Sequence, residues 1–318
     1  MEALFILPVA LVIDLVLGEF PSVIHPVVWI GKVISFLIKG GRRCSPTVQF
    51  LYGMGVVLVT LGIFVTPVYF LLSYLKDLNS VAYVVVAAVI FKTTFSLKEL
   101  WRAALRVRNL LAKDKLAEAR FEIRALVGRD TSKLDKSQLV SATVESVAES
   151  SCDSFFAPLF YFLLFGLAGV VAYLGVVGAV AYRVINTHDS MIGHHGEFEY
   201  LGKFAARLDS AVNLIPARIA ALTIVLSSWV CRAKASGAWR IMLRDRKKTK
   251  SPNKGWTMSA MGGALGVQLE KVGYYKLGDN HNPLLIASID ASLKIVMTAA
   301  FIWSLAIVSA EVVYHVAA

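Results

Sequence analysis

The sequence predicts an all-α, polytopic integral membrane protein with about four to six transmembrane helices. Three observations carry that expectation. The 318-residue chain is 57% apolar and only 17% charged, whereas soluble domains average about 25% charged. Its mean hydropathy is +0.63. Its apolar residues also gather into long runs, with polar residues concentrated in blocks at their edges. The chain reads as a single integral membrane domain over 1–318. Within it, 1–95 holds N-terminal spans, 96–154 a cytoplasmic helical loop, 155–231 apolar segments with a polar motif loop, 232–283 a basic cytoplasmic loop, and 284–318 a C-terminal span.

Taken in order, Ala3 to Leu17 is a short apolar stretch containing Asp14, stopped by Gly18-Glu19-Phe20-Pro21. It lacks a basic leader and a small-residue cleavage site, so it reads as a retained span or signal anchor. His25-Pro26 opens Val27 to Ile38, too short to cross a bilayer and suited to its interface. Gln49 to Leu75 is long enough to span, with Pro67 placed to kink it. Lys76 to Asn79 is a turn, and Val81 to Phe91 returns. Leu97 to Ala148 carries Leu100, Leu105, Leu110, Leu111 and Leu116 among charges, the pattern of amphipathic helices outside hydrocarbon. Gly128-Arg129-Asp130-Thr131 interrupts them, and Asp130 or Thr131 is placed to cap the next helix. Phe155 to Ala181 is apolar but holds Gly166, Gly169, Gly175 and Gly178; it is one tilted span or a broken, re-entrant hairpin. Ala211 to Cys231 is interrupted by Pro216 and Arg218. Leu284 to Tyr314 is the last apolar segment, and Asp290 and Lys294 can pair at i,i+4.

The net charge of +11 is unevenly spread. Arg102 to Lys136 holds ten Lys/Arg against five acids, and Arg232 to Lys254 nine against Asp245 alone. These runs flank apolar spans and lack interleaved aromatics, so they point to cytoplasmic loops and not to nucleic acid. A polyanionic substrate would be a second reason for them. Cys44, Cys152 and Cys231 are far apart and form no CxxC, which argues against a disulfide framework or a zinc site. If Phe155–Ala181 crosses once, the Asn186–Asp209 region lies on the face opposite the basic loops. If it is re-entrant, all polar blocks share one face.

Polar groups beside hydrocarbon are costly unless paired, hydrated or liganded, so these blocks mark candidate chemistry. Glu145, Glu149 and Asp153 follow i, i+4, i+8 spacing. On a regular helix they share a face, either as a solvated ion-paired surface or as carboxylates for Mg²⁺ and phosphate chemistry. Arg183, Asn186, His188, Asp189 and Ser190 follow an apolar segment directly. His188 and His194-His195 lack the H-x-x-x-H or cysteine partners of a transition-metal site. Arg207, Asp209, Asn213 and Arg218 cluster around Pro216, with Asp209 and Asn213 on one face if the segment is helical. Ser251 to Trp256 reads as a turn. Gly262, Gly263 and Gly266 after it serve either phosphate contact through backbone N–H groups or close helix packing; they do not form a Walker A motif.

Together these blocks resemble the CobD/CbiB family, the adenosylcobinamide-phosphate synthases of cobalamin biosynthesis. The resemblance runs in order along nearly the whole chain. It covers Asp14-Leu-Val-Leu-Gly-Glu19 with His25-Pro26-Val27, Val127 to Thr131, Glu145 to Phe160, Ala181 to Gly193, Ala206 to Arg218, and Ser251 to Val267. The chain departs from the family pattern at Ser150, Ser154 and His188. The resemblance implies an ATP-dependent amide ligase joining adenosylcobyric acid to (R)-1-aminopropan-2-yl phosphate, with ATP and Mg²⁺ as cofactors and the corrinoid as substrate. It also implies a multi-pass protein of the cell membrane whose active site faces the cytoplasm, with other corrinoid-pathway enzymes as possible partners. The family pattern marks the positions, and residue type suggests the roles. Glu145, Glu149, Asp153 and Asp189 suit catalysis by metal or amine orientation, with Glu149, Asp153 and Asp189 as Mg²⁺ ligands. Arg183, Arg207, Arg218 and Lys254 suit phosphate contacts. Asn186, Asn213 and Asn253 suit corrin amides, and His25, Asp209 and Trp256 complete the substrate-binding set. A corrinoid transporter would place polar groups at mid-membrane, whereas most lie here at segment ends. A scaffold would not need three separate carboxylate/Asn clusters.

Overall fold

The computed structural model describes residues 2–42, 45–168, 173–194 and 196–317. In chain order the helices are α1 (Ile6–Leu17), α2 (Pro26–Leu37), α3 (Pro46–Leu78), α4 (Ser80–Lys92), α5 (Leu97–Ala112), α6 (Leu116–Glu122) and α7 (Lys136–Ser151). A π-helical turn over Cys152–Phe156 leads into α8 (Ala157–Ala168), followed by α9 (Tyr173–Ile192), α10 (Lys203–Val212), α11 (Leu214–Val230), α12 (Ala235–Asp245) and α13 (Lys254–Leu265). A small hairpin, β1 (Leu269–Lys271) and β2 (Tyr275–Leu277), precedes α14 (Ile286–Ala317). Among the described residues, four helices are long and apolar enough to cross a membrane: Pro46–Leu78, Ser80–Ala112, Lys136–Leu167 and Ile286–Tyr314. A fifth arises if α10 and α11, bent by 47°, are one broken span. The chain is thus an all-α, multi-pass membrane protein.

Local chemistry explains the element ends. His25 sits in extended backbone with its Nδ1 accepting the Val27 N–H, and Pro26 follows at the first helical position of α2. Asn79 caps α4 by accepting the Ala82 N–H. A full capping box opens α7: Asp135 accepts the Gln138 N–H, and the Gln138 side chain accepts the Asp135 N–H. Asp130 and Thr131 do not cap it. Asp130 accepts the Ser132 N–H, and the Thr131 hydroxyl donates to the Arg120 carbonyl.

The chain divides into two compact units. The first comprises 1–96, 157–212 and 306–318. Its centre holds an ion network. The fully buried Lys92 ammonium lies 3.0 Å from Glu19 and 3.3 Å from Asp14, and Glu19 is 2.6 Å from the His25 ring. Burial pushes the Glu19 carboxyl up, but hydrogen bonds from His25, Ser96 and Lys92, with the Lys92 charge, hold it down at about 2. The Phe155–Ala181 alternatives resolve as a hairpin of helices. A Cβ at Gly175 would meet the Phe162 carbonyl at 2.5 Å, one at Gly178 the Phe165 ring at 2.3 Å, and Tyr161 stacks on Tyr182. The chain therefore folds back, antiparallel, onto α8, and a single tilted span is excluded. Gly169 lies outside the described residues. α3 runs unbroken through Pro67.

The second unit comprises 97–156 and 213–305. α12 and α13 cross where Gly237 and Gly263 meet; a Cβ on Gly263 would lie 2.4 Å from the Gly237 carbonyl oxygen. Gly266 ends α13 in the left-handed conformation, φ +65°. These glycines therefore serve packing and helix termination. α5 is amphipathic, as the sequence predicts, burying Leu100, Ala104, Val107 and Leu111. α7 is not, because every residue from Leu139 to Ala148 is buried. Asp290 pairs with Arg108 through two guanidinium nitrogens at 3.0–3.1 Å, and not with Lys294. A forked guanidinium reaching across from α5 makes the better carboxylate partner.

Candidate functional site

In the second unit the polar groups converge on α7 and α13. The hairpin is antiparallel, with Leu269 opposite Leu277 and Lys271 opposite Tyr275. Gly273 turns it at φ +77°. Alternation places Tyr275 on the same face as buried Leu277. Two hydrogen bonds fasten the hairpin to α7. The Glu270 N–H donates to the Ser141 hydroxyl at 2.9 Å, and the Tyr275 hydroxyl donates to Glu145 Oε2 at 2.8 Å. Ser141 in turn donates to Glu145 Oε1 at 2.7 Å, and Arg129 Nη2 lies 3.5 Å from Oε2. Glu145, 4% exposed, is thus held from three sides. Burial and the neighbouring Glu145 raise the Tyr275 phenol well above its ordinary value, so it remains a proton donor. Burial and the Arg129 charge lower the Lys271 ammonium.

One turn on, Glu149 does not join Glu145. Its Oε1 lies 2.6 Å from the Lys254 ammonium, and its side chain is 27% exposed. Asp153 falls in the π turn, which breaks the regular i, i+4, i+8 stack predicted from spacing. π turns are frequent at functional sites. Lys254 starts α13, beside Asn253 and Trp256. Asn253 is buried, and its side-chain oxygen accepts from Arg218 Nη1 at 2.9 Å and does not cap the helix. The Arg218 and Arg246 guanidiniums lie 4.8 and 4.9 Å from the Trp256 ring centroid. Gly255 lets the Arg246 carbonyl approach, since a Cβ there would lie 2.2 Å from it.

In the first unit α9 and α10 bring three predicted residues together. Asn186 donates to Asp209 at 3.2 Å and accepts from Arg183 at 3.4 Å. Asp189 lies over Gly193, where a Cβ would meet its carboxylate at 2.0 Å. A cavity of about 300 Å³ is lined by His194, Glu199, Lys203, Arg207 and Ser210. His188 is fully buried, and neither ring nitrogen has a hydrogen-bond partner among the described residues. His195 lies outside the described residues. The helix breaks at Asn213, so Asp209 and Asn213 do not share a helix face. Both nitrogens of His25 are engaged, with Val27 N–H and Glu19. Among the described residues no three His, Cys, Asp or Glu side chains converge as ligands for a metal ion.

Spacing alone did not reveal Ser141, Arg129, Tyr275 or Arg246. A signal for Tyr275 existed: Leu269-Glu-Lys and Tyr275-Lys-Leu are short alternating runs joined by three residues containing Gly273.

The family model described as CobD/Cbib protein matches residues 7–301. The chain belongs to the CobD/CbiB family. The CobD of Dehalococcoides mccartyi (strain CBDB1), named a cobalamin biosynthesis protein, is 51% identical over 99% of this chain and 98% of its own length. Probable cobalamin biosynthesis proteins CobD of Pyrococcus furiosus and Methanothermobacter thermautotrophicus are 40% and 38% identical, over 85% and 88% of this chain and 86% and 88% of theirs. No solved structure matches. Membership in the CobD/CbiB family gives the chain a role in cobalamin biosynthesis.

Proposed function

We propose that this family member is an ATP-dependent amide ligase. It would join a carboxylate of adenosylcobyric acid to the amine of (R)-1-aminopropan-2-yl phosphate, giving adenosylcobinamide phosphate. The observation that carries the reading is the Glu149–Lys254 pair, an acid and a cation held together on a partly exposed edge. A carboxylate is a poor electrophile. In the proposed route its oxygen attacks the terminal phosphorus of ATP, releasing ADP and leaving an acyl phosphate. The amine then attacks the acyl carbon, the C–O bond to phosphate breaks, and inorganic phosphate leaves. Lys254 offers charge to the transferring phosphate, and Glu149 accepts the proton that the amine sheds. Glu145, tied to Ser141 and Tyr275, holds the hairpin on α7. Mg²⁺ enters this scheme only with ATP, as part of a substrate.

Arg183, Asn186, Arg207, Asp209 and Asn213 remain proposed substrate contacts, and Asp189 a proposed catalytic residue. Residue type and the cationic lining of the Arg207 cavity support them. The basic runs support a cytoplasmic site in the cell membrane, where other corrinoid enzymes could dock. The test uses detergent-purified protein with adenosylcobyric acid, the amino-alcohol phosphate, ATP and Mg²⁺, followed by mass spectrometry of the corrinoid. The expected result is an ATP-dependent condensed product. No product from folded protein that binds the corrinoid rejects the ligase.

A further inference from the structure

We propose that Arg218 and Arg246, gathered on the Trp256 indole, form a receptor for a terminal phosphate dianion. In the second unit Arg106, Arg108, Arg129, Arg240 and Arg244 each pair with a carboxylate. Arg218 and Arg246 do not. Among the described residues their partners are the indole, backbone carbonyls and, for Arg218, the Asn253 amide oxygen. Both lie within 5 Å of one ring centroid, so the two charges are no more than about 10 Å apart, about one Debye length at 0.1 M salt. Among the described residues no carboxylate pairs with either, and a dianion would compensate both.

The pair is also pre-organised. Stacking on an indole fixes a guanidinium plane. Arg218 Nη1 is tied to Asn253 and the Leu214 carbonyl, and Arg246 Nη1 to the Leu243 carbonyl at 2.7 Å. Each guanidinium carries five N–H donors, so each keeps donors for a phosphate fork. The receptor therefore reads charge and shape at a terminal phosphate. That phosphate belongs either to the small amino-alcohol substrate or to the nucleotide, an attribution that rests on the ligase reading.

The test measures binding to full-length, detergent-solubilised protein by calorimetry, without corrinoid, so that no turnover occurs. The probes are inorganic phosphate, aminopropanol phosphate and ATP. The variants are Arg246→Met and Arg246→Lys, with Arg240→Met as a control that removes an exposed, acid-paired arginine. Arg246→Met is expected to weaken phosphate binding by about tenfold or more. Arg246→Lys should weaken it less, since charge survives but the planar fork is lost, and Arg240→Met should leave it unchanged. A loss confined to aminopropanol phosphate assigns the receptor to that substrate, and a loss confined to ATP assigns it to the nucleotide. Unchanged affinity for all three probes in both folded Arg246 variants overturns the receptor. Phosphate binding that depends on Arg246 in a protein that never forms amide would keep the receptor and remove the ligase. Amide formation in Arg246→Met with unaltered KM for both phosphate substrates would do the reverse.

Discussion

Replacing Tyr275 by Phe removes one hydroxyl and little else. That hydroxyl donates to Glu145 Oε2 at 2.8 Å, on a carboxyl that is 4% exposed. A hydrogen bond to a charged group contributes about 1.5–3 kcal/mol, because water cannot replace the lost donor at a buried site. Glu145 keeps Ser141 at 2.7 Å and the longer Arg129 contact at 3.5 Å, which places the expected loss toward the lower half of that range. The hairpin should also loosen, since Glu270–Ser141 becomes its remaining polar tie to α7 among the hydrogen bonds described above. The assay is denaturant unfolding in detergent for wild type, Tyr275→Phe, Glu145→Gln and the double variant, with amide hydrogen exchange across 269–277. A coupling of at least about 1 kcal/mol in the cycle, with faster exchange in the hairpin, is expected. A Tyr275→Phe protein within about 0.5 kcal/mol of wild type, with unchanged hairpin exchange, would refute the reasoning.

Three further outcomes are expected. Lys92→Met removes the fully buried cation that Asp14 and Glu19 share, and breaking a buried pair costs about 3–5 kcal/mol; adding Asp14→Asn and Glu19→Gln should recover much of it in the same unfolding assay. Asp245 is buried, but bonds from Arg244, Lys248 and the Gly278 N–H outweigh that burial and hold its carboxyl at about 2, below the ordinary 3.8. Its contribution of about 2 kcal/mol is therefore full above pH ~4 and lost as pH falls toward 2, and Asp245→Asn should flatten that part of the stability–pH curve. Glu149→Gln should leave the protein folded and abolish ATP-dependent amide formation; unchanged turnover removes Glu149 from the proposed chemistry.

Some helix ends were legible because hydrophobic runs and their breakers act locally: Gly18 stops α1 and Pro26 starts α2 where the sequence places them, although α3 stays helical through Leu78, past the expected Lys76–Asn79 turn. The family was legible too, because its blocks are contiguous. Legibility failed where a partner lies far along the chain. Asp290 looks like a partner for Lys294 four residues on, yet Arg108, 182 residues away, takes it. Glu145 and Glu149 look alike by spacing. One meets Tyr275, 130 residues on, and is buried; the other meets Lys254 at a partly exposed edge. Arg246 looks like one of nine charges in a basic run, and only the approach of α11 to α13 sets it beside Arg218 on Trp256. Composition and local pattern by themselves determined that this chain is a helical membrane protein, since burial of apolar runs and helix termination depend on near neighbours, and its contiguous blocks resemble the CobD/CbiB family. The tertiary structure decided which carboxylate is locked, which is open and which arginines lack an acid, because a charged group's state depends on the distant side chains that desolvate and pair it.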